Sequence, residues 1–264
     1  MPYTPAHPIT AIVLDKLLPN KFNKTGLVLG SIAPDLRNFM MLRPVDTGFE
    51  HSHAGMLTVG LPASIVLAFA FHRLVLPAAA IHLPAPFNRI AYRYVERGWR
   101  ITGVRGWAVL LLSIMLGLYS HVFLDGFSHR GGLMYPIATG TVEWMLPRAE
   151  SPAAVVQLGI SLLAIGIELL LLTVFLLRRW GIASAVPHVR GSVKGMYWFI
   201  VLIAMILITA IAIVVAPFGH ARHLYFIIPV ASLTGAVIGL LAASVAHFLN
   251  DRSWKRLNGE MNKR

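Results

Sequence analysis

The apolar residues of this chain fall in long runs. Five stretches, roughly 55–77, 107–128, 154–177, 195–217 and 224–249, are each long enough to cross a hydrocarbon core, which needs about twenty helical residues. Ahead of them, residues 1–54 hold two shorter apolar pieces, ITAIVLDKLL and TGLVLGSIAPD, broken by Pro19, Asn20, Pro34 and Asp35. Neither piece can span alone, so short helices packed on the membrane surface or between the spans are expected. Residues 78–106 carry Arg89, Arg93, Arg97, Arg100 and Arg105 with aromatics interleaved, the pattern of a surface helix at an anionic leaflet. The segment 133–153, with Tyr135, Trp144 and Pro147, reads as interfacial and could cover a site. No internal repeat or low-complexity tract breaks the pattern. The expected architecture is all-α, a single polytopic membrane domain over residues 1–264.

Composition strengthens this reading. Of the 264 residues 56% are hydrophobic and 13% charged, and the mean hydropathy is +0.68, too apolar for a soluble domain of this size. The formal charge of +12 would suit nucleic acid in a soluble protein. In a multi-spanning one it follows from the orientation rule and from attraction to anionic lipid, so membrane lipid is the expected partner and nucleic acid is not. There is no cysteine, which removes disulfides and thiolate ligands, so any bound metal must be held by imidazole and carboxylate. The opening MPYTPAHPIT lacks a basic region followed by an apolar one and is expected to stay in the mature protein.

Five spans put alternate loops on opposite sides. One side collects fifteen of the 23 basic residues and the other eight, so the C-terminus is expected to be cytoplasmic. The start of the chain, Asp35, the FEHSHAG stretch with His51 and His53, and the end of the second span then share the non-cytoplasmic face.

That shared face is where the chemistry gathers. The second span closes on SHVFLDGFSH, in which His121, Asp125 and His129 are each four apart and lie on one face of any helix that continues through them. With His7, Asp35 and His53 on the same side, six candidate ligands meet at one depth. Neutral imidazole with carboxylate suits zinc, manganese or iron, and an ion with an open position can activate water. Taken one at a time these residues read as a polar helix end meeting headgroups and water; taken together, so costly an arrangement reads as a divalent-metal site. Arg37, Arg43 and Arg130 lie nearby and are either ordinary interfacial arginines or contacts for a substrate phosphate. Other candidates fare worse. His72, His82 and His188 read as structural or solvated, His220 and His223 as an exposed loop, and His247 with Asp251 falls at the cytoplasmic end of the fifth span. Glu168, inside the third span, needs a partner, and His72 or Arg73 lies at a similar depth.

The ordered set MPYTPAHP, GSIAPDL, HSHAG, LYSHVFLDGFSHRGG and VVQLGISLLAIGIELLLL resembles an uncharacterised family of bacterial multi-spanning membrane proteins, a domain of unknown function. That family resembles inner-membrane metal-dependent hydrolases and, more distantly, zinc-dependent phospholipase C and the single-strand nucleases. The resemblance implies a helical bundle with zinc ligands on facing helices: Asp35, His53, His121 and Asp125 around one metal, His7 at a neighbouring position, and His129 as a further ligand. The enzymes carry a second motif, H-x-x-x-E, that this chain lacks, and they are soluble and secreted. The function expected is a hydrolase of the bacterial cytoplasmic membrane, phosphoesterase-like, acting on a lipid or lipid-linked substrate, with no separate general base assigned. Two alternatives stay open: a non-catalytic protein with a structural ion or polar network, and a transporter of metal or protons.

Overall fold

A computed structural model describes residues 3–45, 48–215 and 221–250. His220, the side chain of His223, and Asp251 lie outside the described residues. All regular structure among the described residues is helical: α1 Pro8–Leu17, α2 Lys24–Ile32, α3 Leu36–Met40, α4 His53–His82, α5 Phe87–Arg97, α6 Gly103–Asp125, α7 Tyr135–Met145, α8 Pro152–Arg178, α9 Gly191–Val215 and α10 Ala221–Asn250. Helices α4, α6, α8, α9 and α10 are long and apolar enough to cross a membrane. The N-terminal pieces form the short helices that their interrupted apolar runs predict; α1, at ten residues, reaches only about 15 Å.

Local signals place the helix starts. Asn23 caps α2 by accepting the Gly26 N–H at 2.9 Å, and Ser52 caps α4 by accepting the Gly55 N–H at 3.1 Å, satisfying donors that a helix start leaves without a partner. Pro34 follows α2 and tightens its end into the turn Ala33–Asp35. Helix α4 continues for 30 residues through two π-helical turns, Met56–Gly60 and Phe71–Val75.

The chain divides into two compact units. The second comprises residues 38–46, 69–99 and 178–264. In it Tyr197 and Val201 of α9 and Ala243 of α10 bury against Ala78 of α4, and the Tyr197 hydroxyl meets Ser244 Oγ at 3.0 Å.

The first unit comprises residues 1–37, 47–68 and 100–177. Its organising contact is the crossing of α2 and α6. A Cβ on Gly30 would overlap the Ile114 carbonyl oxygen, and a Cβ on Gly117 would overlap the Leu27 carbonyl oxygen, so the two backbones touch where only glycine fits. Polar ties hold the register: the Asn23 N–H donates to Ser113 Oγ at 2.8 Å, and Thr10 Oγ1 lies 2.9 Å from Ser120 Oγ. The backbone N–H of Tyr3 donates to Ser161 Oγ of α8 at 2.9 Å.

Glycine substitutions test this crossing. Alanine ordinarily favours a helix by about 1 kcal/mol over glycine, but overpacking costs about 1–3 kcal/mol, and here the obstacle is backbone. Gly117→Ala should therefore lower the thermal midpoint of the purified protein, while Gly159→Ala, with nothing within 4 Å of its Cβ position, should leave it unchanged or raise it.

Candidate metal centre

The α2–α6 crossing delivers two side chains to one point. His121 sits one turn beyond Gly117 on α6, fully buried, and its Nδ1–H donates to the Ser31 carbonyl at 2.7 Å. Ser31 lies in the last turn of α2, where carbonyls run short of intrahelical partners. Because a carbonyl only accepts, neutral His121 carries its proton on Nδ1 and presents the Nε2 lone pair inward. Asp35, 1% exposed, emerges from the turn after α2. Its Oδ2 accepts from Thr4 Oγ1 at 2.6 Å, which leaves Oδ1 facing the same point.

Asp125 closes α6 one turn beyond His121. Its Oδ1 has His7 Nε2 at 3.2 Å, while Oδ2 lies 3.1 Å from His51 Nε2 and 3.5 Å from His121 Nε2. His7 stacks on His121 with ring centroids 3.8 Å apart. Burial, then the neighbouring His121, hold the His7 imidazole below its ordinary pKa against the opposing pull of Asp125, and its Nε2–H donates to Asp125 Oδ1. Its Nδ1 is buried without a hydrogen-bond partner. Glu168 of α8 has its Oε1 buried without a hydrogen-bond partner. Of the two residues that the sequence offers Glu168, His72 stacks on Trp99, with centroids 4.4 Å apart and planes 4° apart.

His51 completes the group. The Ser52 N–H donates to the Phe49 carbonyl at 2.9 Å, and Gly55 presses so closely on Phe49 that a Cβ would overlap its carbonyl. That turn directs His51 inward, to 3.0 Å between its Nε2 and His121 Nε2 and 4.0 Å from Asp35 Oδ1. His53, one residue past the Ser52 cap, is exposed, and its Nδ1 meets Tyr119 Oη at 3.0 Å.

Four atoms therefore converge: His51 Nε2, His121 Nε2, Asp35 Oδ1 and Asp125 Oδ2. Five of their separations run from 3.0 to 4.0 Å. Two groups, one of Asp35, His51 and His121 and one of His7, His121 and Asp125, each set one ligand atom per residue within 4.8 Å of one another. Two buried carboxylates and an inward lone pair are costly together unless a cation joins them. Asp125 Oδ2, despite its close neighbours, has no hydrogen bond. The donor set thus fits a divalent ion, and buried His/Asp groups here could hold one.

Among the residues singled out in the sequence, Asp35, His121, Asp125 and His7 are brought together, with His7 on the far oxygen of Asp125. His53 points elsewhere and His51 stands in the group instead. His129 lies outside the tight group because α6 ends at Asp125. Its Nδ1 donates to the Asp125 backbone carbonyl at 3.1 Å and lies 3.9 Å from Oδ2. Arg37 pairs with Glu50 at 3.4 Å, and Arg130 is exposed.

Fold and site together define a multi-pass helical membrane protein with a buried His/Asp cluster able to hold a metal. The family model described as Domain of unknown function (DUF4184) matches residues 1–245, and the chain belongs to that family. No curated protein and no solved structure matches the chain.

The alternating choice of histidines is testable by elemental analysis of purified protein. His51→Ala, His121→Ala and Asp125→Ala should each abolish stoichiometric metal, whereas His53→Ala should retain it. Thr4→Val and His7→Ala remove outer partners and should weaken metal affinity by about 10–100-fold, measured by competition with a chromogenic chelator.

Proposed function

We propose that this chain is a membrane-embedded, metal-dependent hydrolase, a phosphoesterase acting on a lipid or lipid-linked substrate. The observation that carries the proposal is the convergence of His51, His121, Asp35 and Asp125 on one point with a flank open to solvent. His121, Asp35 and Asp125 are deeply buried, but the His51 side chain is 16% exposed and that of His129 is 43% exposed. Two imidazoles and two carboxylates, with no cysteine in the chain, suit zinc, with manganese and iron as other candidates. Such an ion would act as a Lewis acid on a phosphoryl oxygen and would acidify water at an open position.

The chain's own groups then divide the work. Ser31 holds the His121 ring in its ligating tautomer, Thr4 orients Asp35, and His7 steadies Asp125. On the exposed side, Arg37 and Arg130 supply guanidinium groups that match the geometry of a phosphate. Arg37 keeps Glu50 beside it, so its charge is shared until an anion arrives.

A second reading rests on the same geometry. Four protein donors can fill a tetrahedral ion's coordination, as in a structural site, whereas catalytic sites keep a position open. Assay of the purified protein against phosphodiester lipids separates the two. The hydrolase reading requires turnover that chelation abolishes and the metal restores, and a loss of rate in Arg37→Gln with metal retained. Full metal content with no turnover on any phosphorylated lipid supports the structural ion instead.

The proposed setting is a bacterial cytoplasmic membrane, with the site on the non-cytoplasmic face and the C-terminus in the cytoplasm. Because the chain has no cysteine, single cysteines report sidedness directly. Leu133→Cys, in the loop after α6, should react with an impermeant maleimide in intact spheroplasts, and Ala185→Cys, between α8 and α9, only after permeabilisation. The opposite pattern reverses the orientation.

A further inference from the structure

Within the second unit, two segments that adjoin span ends form a cationic face. Helix α5 begins five residues after α4 ends at His82, and in it Arg89, Arg93 and Arg97 recur every four residues and are exposed. That spacing lines like charges along one stripe, an arrangement that disfavours an isolated helix. Ile90, buried to 4%, faces the protein.

The second segment follows α8. Arg179 reaches α5, where its guanidinium donates to Tyr94 Oη at 2.6 Å. Arg179 and Arg97 lie 5.7 and 5.8 Å from the centre of the Tyr94 ring. Trp180, 54% exposed, sets its ring edge-on to Phe87 with centroids 5.9 Å apart. All five basic residues of 78–106 are arginine, and Glu96 is the sole acid there.

Guanidinium groups present a planar fork that takes phosphate in two parallel hydrogen bonds, and amphipathic aromatics settle at the headgroup level. We propose that this face, Arg89, Arg93 and Arg97 along α5 with Arg97 and Arg179 flanking Tyr94, binds the phosphate of anionic phospholipids in the adjoining leaflet. Its position beside the ends of α4 and α8 gives it that leaflet as its surroundings, and its charge selects anionic over zwitterionic headgroups. The inference is independent of the metal centre, whose residues belong to the first unit.

The full-length protein in detergent is titrated with phosphatidylglycerol, phosphatidylcholine or inorganic phosphate, with thermal midpoint and lipid retained in native mass spectrometry as readouts. Phosphatidylglycerol should raise the midpoint and be retained preferentially. The variant Arg93→Gln/Arg97→Gln/Arg179→Gln should lose about 10²-fold in apparent affinity with its metal content unchanged. The lysine triple variant, which keeps charge and should fold even where the glutamine variant fails, should bind more weakly than wild type. Equal binding of phosphatidylcholine, equal stabilisation by inorganic phosphate alone, or undiminished retention of phosphatidylglycerol by both variants would overturn the proposal.

Discussion

The contact between Gly30 and Gly117 is the constraint on which the site depends. In a bilayer, apolar side chains gain little by leaving lipid for one another, so helices associate through close packing and polar ties. At this crossing the backbones of α2 and α6 meet with no side chain between them. The closeness has a chemical consequence one turn further on, because it brings the Ser31 carbonyl within reach of His121 Nδ1. A wider crossing would leave His121 free to choose its tautomer and Asp35 short of the centre.

From that contact the polar cluster grows outward by hydrogen bonds. Thr4 holds Asp35, and His7 holds Asp125. Every one of these partners comes from a segment distant in sequence. Buried carboxylates are tolerated in such surroundings only when donors or cations surround them, and here donors occupy the outer oxygens while the inner ones face one another's ligating neighbours. Rigid outer partners and a negative centre are the arrangement that cation binding requires.

How much of this could be read from the chain alone differs by feature. The five spans follow from apolar runs of sufficient length, and the short N-terminal helices follow from Pro19, Pro34 and the polar breaks around them. The pairing of His121 with Asp125 on one helix face follows from the period of the helix. The choice between His51 and His53 does not. They differ by two residues and share a composition, and what separates them is the Ser52 cap, which ends the turn before it and starts α4 after it. An S-x-x-G stretch at the foot of an apolar run is a legible cap signal, and it would have favoured the histidine before the cap as the one free to turn inward. His129 is subtler. The four-residue spacing holds only while the helix continues, and α6 stops at Asp125.

By itself, then, the sequence determined the helical class, the number of long apolar helices and the residue types available for chemistry, because hydropathy and helical period are local properties that composition and spacing express directly. Only the tertiary structure decided which histidines face one another, which oxygen of each carboxylate turns inward, and that Arg97 and Arg179 flank one tyrosine. Those outcomes depend on where separate helices cross and how closely, and a backbone contact between two glycines some ninety positions apart leaves no trace in the local pattern of either segment.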